Sequence, residues 1–244
     1  MDCLRKIQAP SIPMRTLRTH WLRIAVHAGS LFIPLAILAS DYVQGRLTVN
    51  PIQAVTLRTG KFALILLVLS LACTPINTVF GFKPALKVRR ALGLYAFLYA
   101  ALHFLIFVGL DYGFDLALLK EAIFEKRYAL VGFAAGLILL SLAITSTKGW
   151  MKRLGQQWRK LHQWVYLAGL LVIVHYVWLV KADKRAPLAY GAMVGLLLVL
   201  RIPHVRQAAS GLRNKLTADR RRRPAVGRQH STVSVRPSAV NRQD

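Results

Sequence analysis

Long apolar runs follow one another along this chain, and clusters of charged residues separate them. Most runs hold about 20 residues, the length an α-helix needs to cross the ~30 Å hydrocarbon core of a bilayer at about 1.5 Å per residue. In lipid, helices satisfy every backbone N–H and C=O group within the segment. The sequence therefore predicts an all-α membrane protein, a bundle of six transmembrane helices. The predicted spans are about Trp21–Ser40, Lys61–Phe80, Arg90–Leu110, Tyr128–Thr145, Leu161–Val180 and Leu188–Leu200.

Three regions follow from this pattern. Residues 1–20 are polar and basic, and we expect them to be a cytoplasmic segment. Residues 21–202 form the six-helix membrane domain, with a polar link over 41–60 between the first two spans. Residues 203–244 are basic and polar without apolar periodicity, which predicts a disordered cytoplasmic tail. No internal repeat is evident in the sequence.

The net charge of +25 would suit a nucleic-acid-binding protein, but its distribution argues against that function. The basic residues lie between and after the apolar runs, as expected of loops that fix membrane topology. Basic clusters before the first span, after the second, after the fourth and after the sixth place both termini in the cytoplasm. We therefore expect a multi-pass membrane protein, in contact with anionic lipid and not with nucleic acid.

Histidines inside the predicted spans are the strongest functional signal, because ionisable groups in hydrocarbon are costly. His103 lies in the third span, and His162 and His175 lie in the fifth. The third and fifth spans run in the same direction, so His103 and His175 should lie at similar depth near the outer face. Histidines on neighbouring helices can hold a haem iron, and this pair is the natural choice for one haem.

The remaining positions leave the number of haem groups open. His162 lies near the inner face, where the third span carries Arg89 and Arg90 in place of a histidine. Thirteen residues separate His162 from His175, which turns them about 140° apart on an ideal helix. Arg89 and Arg90 are candidate contacts for haem propionates or for a second haem. His27, in the first span, is a candidate proton relay or quinone contact, although packing explains it as well.

The stretches that contain these histidines resemble the MsrQ (YedZ) family, which belongs to the ferric reductase-like transmembrane group and is distantly related to the NADPH oxidases. The similarity extends from Trp21 to about Arg201, with order and spacing preserved. It is carried by Arg89–His103 (RRALGLYAFLYAALH), Ala143–Leu167 (AITSTKGWMKRLGQQWRKLHQWVYL), His175–Lys181 (HYVWLVK), Trp21–Gly29 (WLRIAVHAG) and Thr59–Pro75 (TGKFALILLVLSLACTP).

The resemblance implies an electron-transfer subunit of an oxidoreductase complex in the bacterial inner membrane, and this subunit does not itself perform the final reaction. Such a subunit takes electrons from the quinol pool or a cytoplasmic flavin reductase. It passes them through b-type haem, one group or two, to a periplasmic molybdenum-cofactor subunit, MsrP, which reduces methionine sulfoxide in proteins. His103, His162 and His175 fall on the family's haem-ligand histidines. The resemblance also implies FMN, for which this sequence carries no motif.

Two other functions compete with electron transfer. A free-standing ferric or oxygen reductase would need a dinucleotide-binding domain, and the chain has no glycine-rich fingerprint for one. A proton-coupled transporter would use the membrane histidines as relays, and this alternative stays open. The acidic segment 111–127 is expected to be a solvated loop, and the alternative is a docking surface for a partner.

Overall fold

The computed structural model describes residues 14–46, 50–181 and 183–222, and the regular elements in these ranges are all helical. One π-helical turn, Phe107–Asp111, extends the third helix. The helices, in chain order, are α1 (Met14–Val43), α2 (Pro51–Phe80), α3 (Pro84–Ile106), α4 (Leu116–Glu125), α5 (Arg127–Ile144), α6 (Lys148–Leu154), α7 (Gln156–Leu161), α8 (Trp164–Leu179), α9 (Arg185–Val199) and α10 (Pro203–Arg222).

The prediction of a helical membrane bundle is confirmed. Within the described ranges, five segments are long and apolar enough to cross a bilayer: His20–Val43, Pro51–Phe80, Pro84–Asp111, Arg127–Ile144 and Gln156–Leu179. The predicted sixth span corresponds to α9, whose 15 residues reach only about 22 Å. It qualifies as a span only together with the start of α10, across a 78° bend after Val199.

Helix α2 lies at the centre of the bundle and packs most extensively against α3. The two form an antiparallel hairpin that turns at Gly81, whose φ of 69° lies in the left-handed region that glycine adopts without strain. Their interface buries apolar side chains, among them Leu67, Leu71 and Ala96. Helix α8 pairs with α5 in a second antiparallel hairpin, and together these hairpins bring α3 and α8 into the parallel arrangement that the sequence predicts.

The predicted polar link over 41–60 is wrong in its second half, because α2 begins at Pro51. Asn50 caps this helix, since its side-chain oxygen accepts a hydrogen bond from the Gln53 backbone N–H at 3.2 Å. Proline follows at the first helical position, where its missing N–H costs nothing. This Asn-Pro pair is a sequence signal for a helix start, and it outweighs the polarity of the residues that follow.

The fifth span contains a break near its start, at the end opposite His175. Helix α7 ends at Leu161, His162 follows it, and α8 begins at Trp164. The segment that links α5 to this span, predicted as a basic loop, contains the short helix α6 and the start of α7. His162 and His175 therefore do not lie on one continuous ideal helix.

Residues 203–222, the first part of the tail for which the sequence predicts disorder, form α10. Pro203 stands at the first position of this helix, and arginine, lysine, alanine and leucine, which favour helix, fill much of it. Arg213 donates hydrogen bonds to the carbonyls of Asn77 and Thr78 at 3.2 and 3.0 Å, which places a cation on the C-terminal end of α2. Residues 223–244 lie outside the described residues.

Arg201 donates a hydrogen bond to a backbone carbonyl that has no donor in its own helix, because a proline stands four residues later. Pro75, inside α2, has no N–H for the carbonyl of Leu71 four residues earlier. One Arg201 nitrogen donates to that carbonyl at 2.6 Å, and another donates to the Tyr166 hydroxyl at 2.6 Å. A single side chain after α9 therefore joins α2 to α8 and supports the proline position.

We predict that Arg201→Met lowers the free energy of unfolding by about 1–2 kcal/mol, because the Leu71 carbonyl loses its donor. In a Pro75→Ala background the backbone at position 75 regains an N–H that can donate to this carbonyl, so the same substitution should cost less. Thermal unfolding of the purified protein in detergent measures both costs. Arg206→Met, which replaces an exposed cation on α10, is the control. Equal costs of Arg201→Met in the two backgrounds would contradict this assignment.

Candidate functional site

His103 of α3 and His175 of α8 face each other near one end of the bundle. Their ring centroids lie 6.3 Å apart, and the ring planes meet at 82°. Both side chains are half-buried among the helices. The prediction that these two histidines lie at the same depth on parallel helices is confirmed.

Each ring is fixed by a hydrogen bond to the backbone of a neighbouring helix. His103 Nδ1 lies 2.8 Å from the Thr56 carbonyl of α2, and His175 Nδ1 lies 2.7 Å from the Tyr128 carbonyl of α5. Because a carbonyl oxygen only accepts, each Nδ1 carries the hydrogen and donates it. In the neutral imidazole the other nitrogen, Nε2, then has a free lone pair. Both histidines are therefore in the tautomer that can bind a metal through Nε2.

A glycine makes room for each ring. A Cβ atom on Gly60 would lie 3.1 Å from His103 Nδ1, and a Cβ atom on Gly132 would lie only 2.6 Å from His175 Nδ1. The first distance is tight and the second is shorter than any normal contact. Each glycine lies four residues after the residue whose carbonyl accepts the histidine hydrogen bond. The same arrangement of carbonyl, glycine and histidine thus occurs twice.

The two arrangements are related by a repeat of 72 residues, which corrects the expectation that the chain has none. Thr56, Gly60 and His103 each precede their counterparts, Tyr128, Gly132 and His175, by this interval. Each histidine follows the residue that accepts its hydrogen bond by 47 positions. The repeat extends into the packing, since Leu67 and Leu139 are both buried, as are Ala96 and Ala168. The α2–α3 and α5–α8 hairpins are therefore equivalent halves around the histidine pair.

The spacing of the rings fits one metal atom between them. Metal–imidazole bonds of about 2 Å on both sides of an atom put the ring centroids about 6 Å apart. Among the described residues, no group of three or more histidine, cysteine or acidic side chains gathers as a metal site. Two imidazoles fill only two coordination positions, so the metal must bring its other ligands. Haem iron does so, and the donor set therefore fits the haem that the sequence predicts.

His162 lies apart from this pair, at the end of α7. Its Nδ1 lies 3.2 Å from the Trp158 carbonyl, and its ring stacks on the Trp158 indole at 4.0 Å between centroids. Its Nε2 lies 3.4 Å from Ser146 Oγ. In the 72-residue repeat, the counterpart of His162 is Arg90, so this position carries a histidine in one half and an arginine in the other.

Arg89 and Arg90 are both close enough to His162 to interact with it electrostatically. Arg89 donates to Thr74 Oγ1 at 3.2 Å, and Arg90 lies 3.8 Å from the Met151 sulfur. Both arginines are exposed, and neither forms an ion pair among the described residues. The site around His162 therefore combines one imidazole with two cations.

His27 is exposed and pairs with Tyr95 of α3. Its Nδ1 lies 3.1 Å from the Tyr95 hydroxyl, and the two rings meet edge to face at 5.6 Å. It lines an open cavity of about 280 Å³ together with Arg23, Lys87 and Arg90. His27 thus belongs to a basic groove between α1 and α3 and not to the pair of facing histidines.

The sequence interpretation missed four residues of the site: Thr56, Gly60, Tyr128 and Gly132. The two carbonyls carry no signal of their own, because every residue has one. The glycines do carry a signal, since a glycine inside an apolar span often marks a close approach. The 72-residue interval between the two glycines, matched by the interval between the two histidines, would have revealed the repeat.

Comparison with known proteins agrees with this geometry. Residues 59–173 match the family described as ferric reductase like transmembrane component. The protein-methionine-sulfoxide reductase heme-binding subunit MsrQ of Rhodospirillum rubrum is 44% identical over 191 residues, which cover 78% of this chain and 91% of that protein. The subunit of the same name from Xanthomonas axonopodis pv. citri is 41% identical over 183 residues, which cover 72% and 84% of the two chains.

We predict that Gly132→Ala destabilises the protein by about 1–3 kcal/mol, because the added methyl group overlaps the His175 ring and forces it or the helix to shift. Gly136→Ala is the matched control, since it lies one turn further along α5 and its added Cβ meets nothing within 4 Å. That control should leave stability unchanged or raise it by up to about 1 kcal/mol through helix propensity. Thermal unfolding in detergent compares the two variants, and equal midpoints would contradict the close approach.

Proposed function

This chain belongs to the MsrQ family of haem-binding subunits of protein-methionine-sulfoxide reductases, and from that membership we propose that it is a b-type haem electron-transfer subunit whose iron is held by His103 and His175. The chain is a multi-pass protein of the bacterial inner membrane. The observation that carries the proposal is the pair of facing imidazoles, 6.3 Å apart, with each Nδ1 tied to a backbone carbonyl.

The chain's own residues perform three tasks in this proposal. His103 and His175 would both hold the haem iron, and two histidine ligands favour electron transfer over reactions at an open iron site. The Thr56 and Tyr128 carbonyls orient the rings and raise the basicity of the ligating nitrogens. Helices α2, α3, α5 and α8 half-bury the two rings, which limits their contact with bulk water. When bound, haem supplies the one-electron redox chemistry that the side chains lack.

The direction of electron flow follows from the proposed topology. The loops at one end of the bundle are strongly basic, whereas the segment that contains α4 carries four of the chain's nine acids, which supports a cytoplasmic location for both termini. His103 and His175 then lie near the periplasmic end. Electrons would enter from the quinol pool or a cytoplasmic flavin reductase. They would leave to a periplasmic MsrP-like molybdenum-cofactor subunit that repairs oxidised methionine in proteins.

The inner position has a separate role in the proposal. His162, Arg89 and Arg90 would contact haem propionates or a second haem on the cytoplasmic side. FMN rests on the resemblance alone, and no feature of the described residues singles out a flavin site. We therefore assign no step to a flavin.

Visible spectra of the purified protein test the histidine pair. We expect a low-spin b-type spectrum, reduced minus oxidised, that is lost in His103→Ala and in His175→Ala, because each variant removes one of the two proposed iron ligands. His204→Ala, which removes an exposed histidine from α10, is the control. A colourless wild-type protein made with adequate haem would overturn the proposal and favour the proton-coupled transporter.

The haem-to-protein ratio of His162→Ala distinguishes one haem from two. A ratio that falls by half relative to the wild type would assign His162 to a second haem. An unchanged ratio would assign one haem to the facing pair. Acid extraction of the same samples reports whether flavin is bound.

Redox titration tests the inner cations. We predict that Arg89→Gln and Arg90→Gln each lower a haem midpoint potential, since a nearby positive charge stabilises the reduced state. An interaction of about 1 kcal/mol corresponds to roughly 40 mV for one electron. Lys83→Gln, which removes an exposed cation at the start of α3, is the control. Unchanged potentials and haem content in both arginine variants would remove them from the proposal.

A further inference from the structure

A basic cavity opens beside His175 at the end of the bundle opposite His162. It measures about 470 Å³, and we call it the basic mouth. Its charged lining residues are Arg127, Lys181 and Lys184, which are all exposed, and none of the described residues that line it is acidic. The other lining residues are Tyr128, Val177, Trp178 and Val180.

The basic mouth lies next to the histidine pair and shares Tyr128 with it. Tyr128 lines it, and the Tyr128 carbonyl accepts the His175 Nδ1 hydrogen bond at 2.7 Å. The Tyr128 ring lies 6.2 Å from the His175 ring between centroids. Trp178, one helical turn beyond His175, is half-exposed at the rim. A single residue, Tyr128, therefore connects His175 to this surface through a hydrogen bond.

The charges of the basic mouth are unusual for their position. On the proposed topology they face the periplasm, where short loops normally carry few lysines and arginines. In the part of the chain that the structure describes, Arg127, Lys181 and Lys184 form no ion pair. Three cations at the end of a redox path favour a negatively charged partner from the periplasm.

We infer that the basic mouth is the docking and electron-exit surface, and that it receives an acidic patch on the periplasmic catalytic subunit. This inference rests on the proposed function. Carboxylates of the subunit pair with Arg127, Lys181 and Lys184, and the electron passes by way of Tyr128 or Trp178. Attraction between opposite charges speeds such encounters without a large interface. The acidic segment 111–127 is then not the docking surface.

Stopped-flow kinetics with the holoprotein in nanodiscs test this inference. The protein is reduced chemically and mixed with the oxidised catalytic subunit at several salt concentrations. We expect the triple variant Arg127→Gln, Lys181→Gln, Lys184→Gln to lower the second-order rate constant at low salt by roughly tenfold to a hundredfold. Its salt dependence should flatten, since the charges that salt screens are gone. Direct binding of the subunit to the nanodiscs, measured at low salt, should weaken in parallel.

Matched controls separate docking from other effects. Lys120→Gln removes an exposed cation from α4 at the same end of the bundle, and Glu121→Gln removes a neighbouring acid. Both should keep the wild-type rate, binding and salt dependence. The haem content, spectrum and midpoint potential of the triple variant should match the wild type. A changed midpoint potential or haem content would instead make the cations propionate contacts and overturn the docking assignment.

The failure of this inference is distinguishable from that of the proposed function. If the wild-type protein passes electrons to the subunit and the triple variant does so at the same rate, only the docking role of the basic mouth is overturned. A rate lost in Glu121→Gln and kept in the triple variant would move the docking surface to the acidic segment. A wild-type protein whose reduced form passes no electron to the subunit would overturn both.

Discussion

The bundle depends on how it satisfies polar groups inside hydrocarbon, where water provides no partners. Three interhelical hydrogen bonds to backbone carbonyls show the principle: His103 to Thr56, His175 to Tyr128 and Arg201 to Leu71. An unsatisfied donor or acceptor in this environment costs several kcal/mol. Each bond therefore fixes two helices relative to one another. The same bonds that hold the bundle together also select the histidine tautomer that can bind a metal.

The 72-residue repeat explains why the site forms between α3 and α8 although each helix packs mainly on a different neighbour. Each hairpin contributes one carbonyl, one glycine and one histidine, and the two histidine rings meet with their planes at 82°. The halves differ at the other end, where Arg90 stands at the position equivalent to His162. One pair of equivalent positions thus retains matching ligands, and the other pair combines a cation with an imidazole. The two ends of the bundle therefore offer a cofactor different side chains.

Much of this organisation could be predicted from the sequence, because its causes are local. The length and hydropathy of the apolar runs predict the helices, and lysine and arginine counts predict which loops share a side. Two histidines at matched distances from basic span ends predict that His103 and His175 meet. The polarity of residues 51–60 predicts a link, whereas the Asn-Pro cap starts α2 at Pro51. The helix at 203–222 was missed, because its contact through Arg213 to the end of α2 is a tertiary interaction.

The basic mouth could not be predicted, because its residues come from two places in the chain that only the fold joins. Arg127 opens α5, whereas Lys181 and Lys184 follow α8, and each looks like an ordinary loop cation in sequence. The α5–α8 hairpin places all three above His175, whose hydrogen bond to Tyr128 requires the two helix ends to be adjacent. The interaction that orients the proposed ligand therefore also assembles the charged surface beside it. A change that loosens the α5–α8 contact should weaken both, which links partner docking to the geometry of His175.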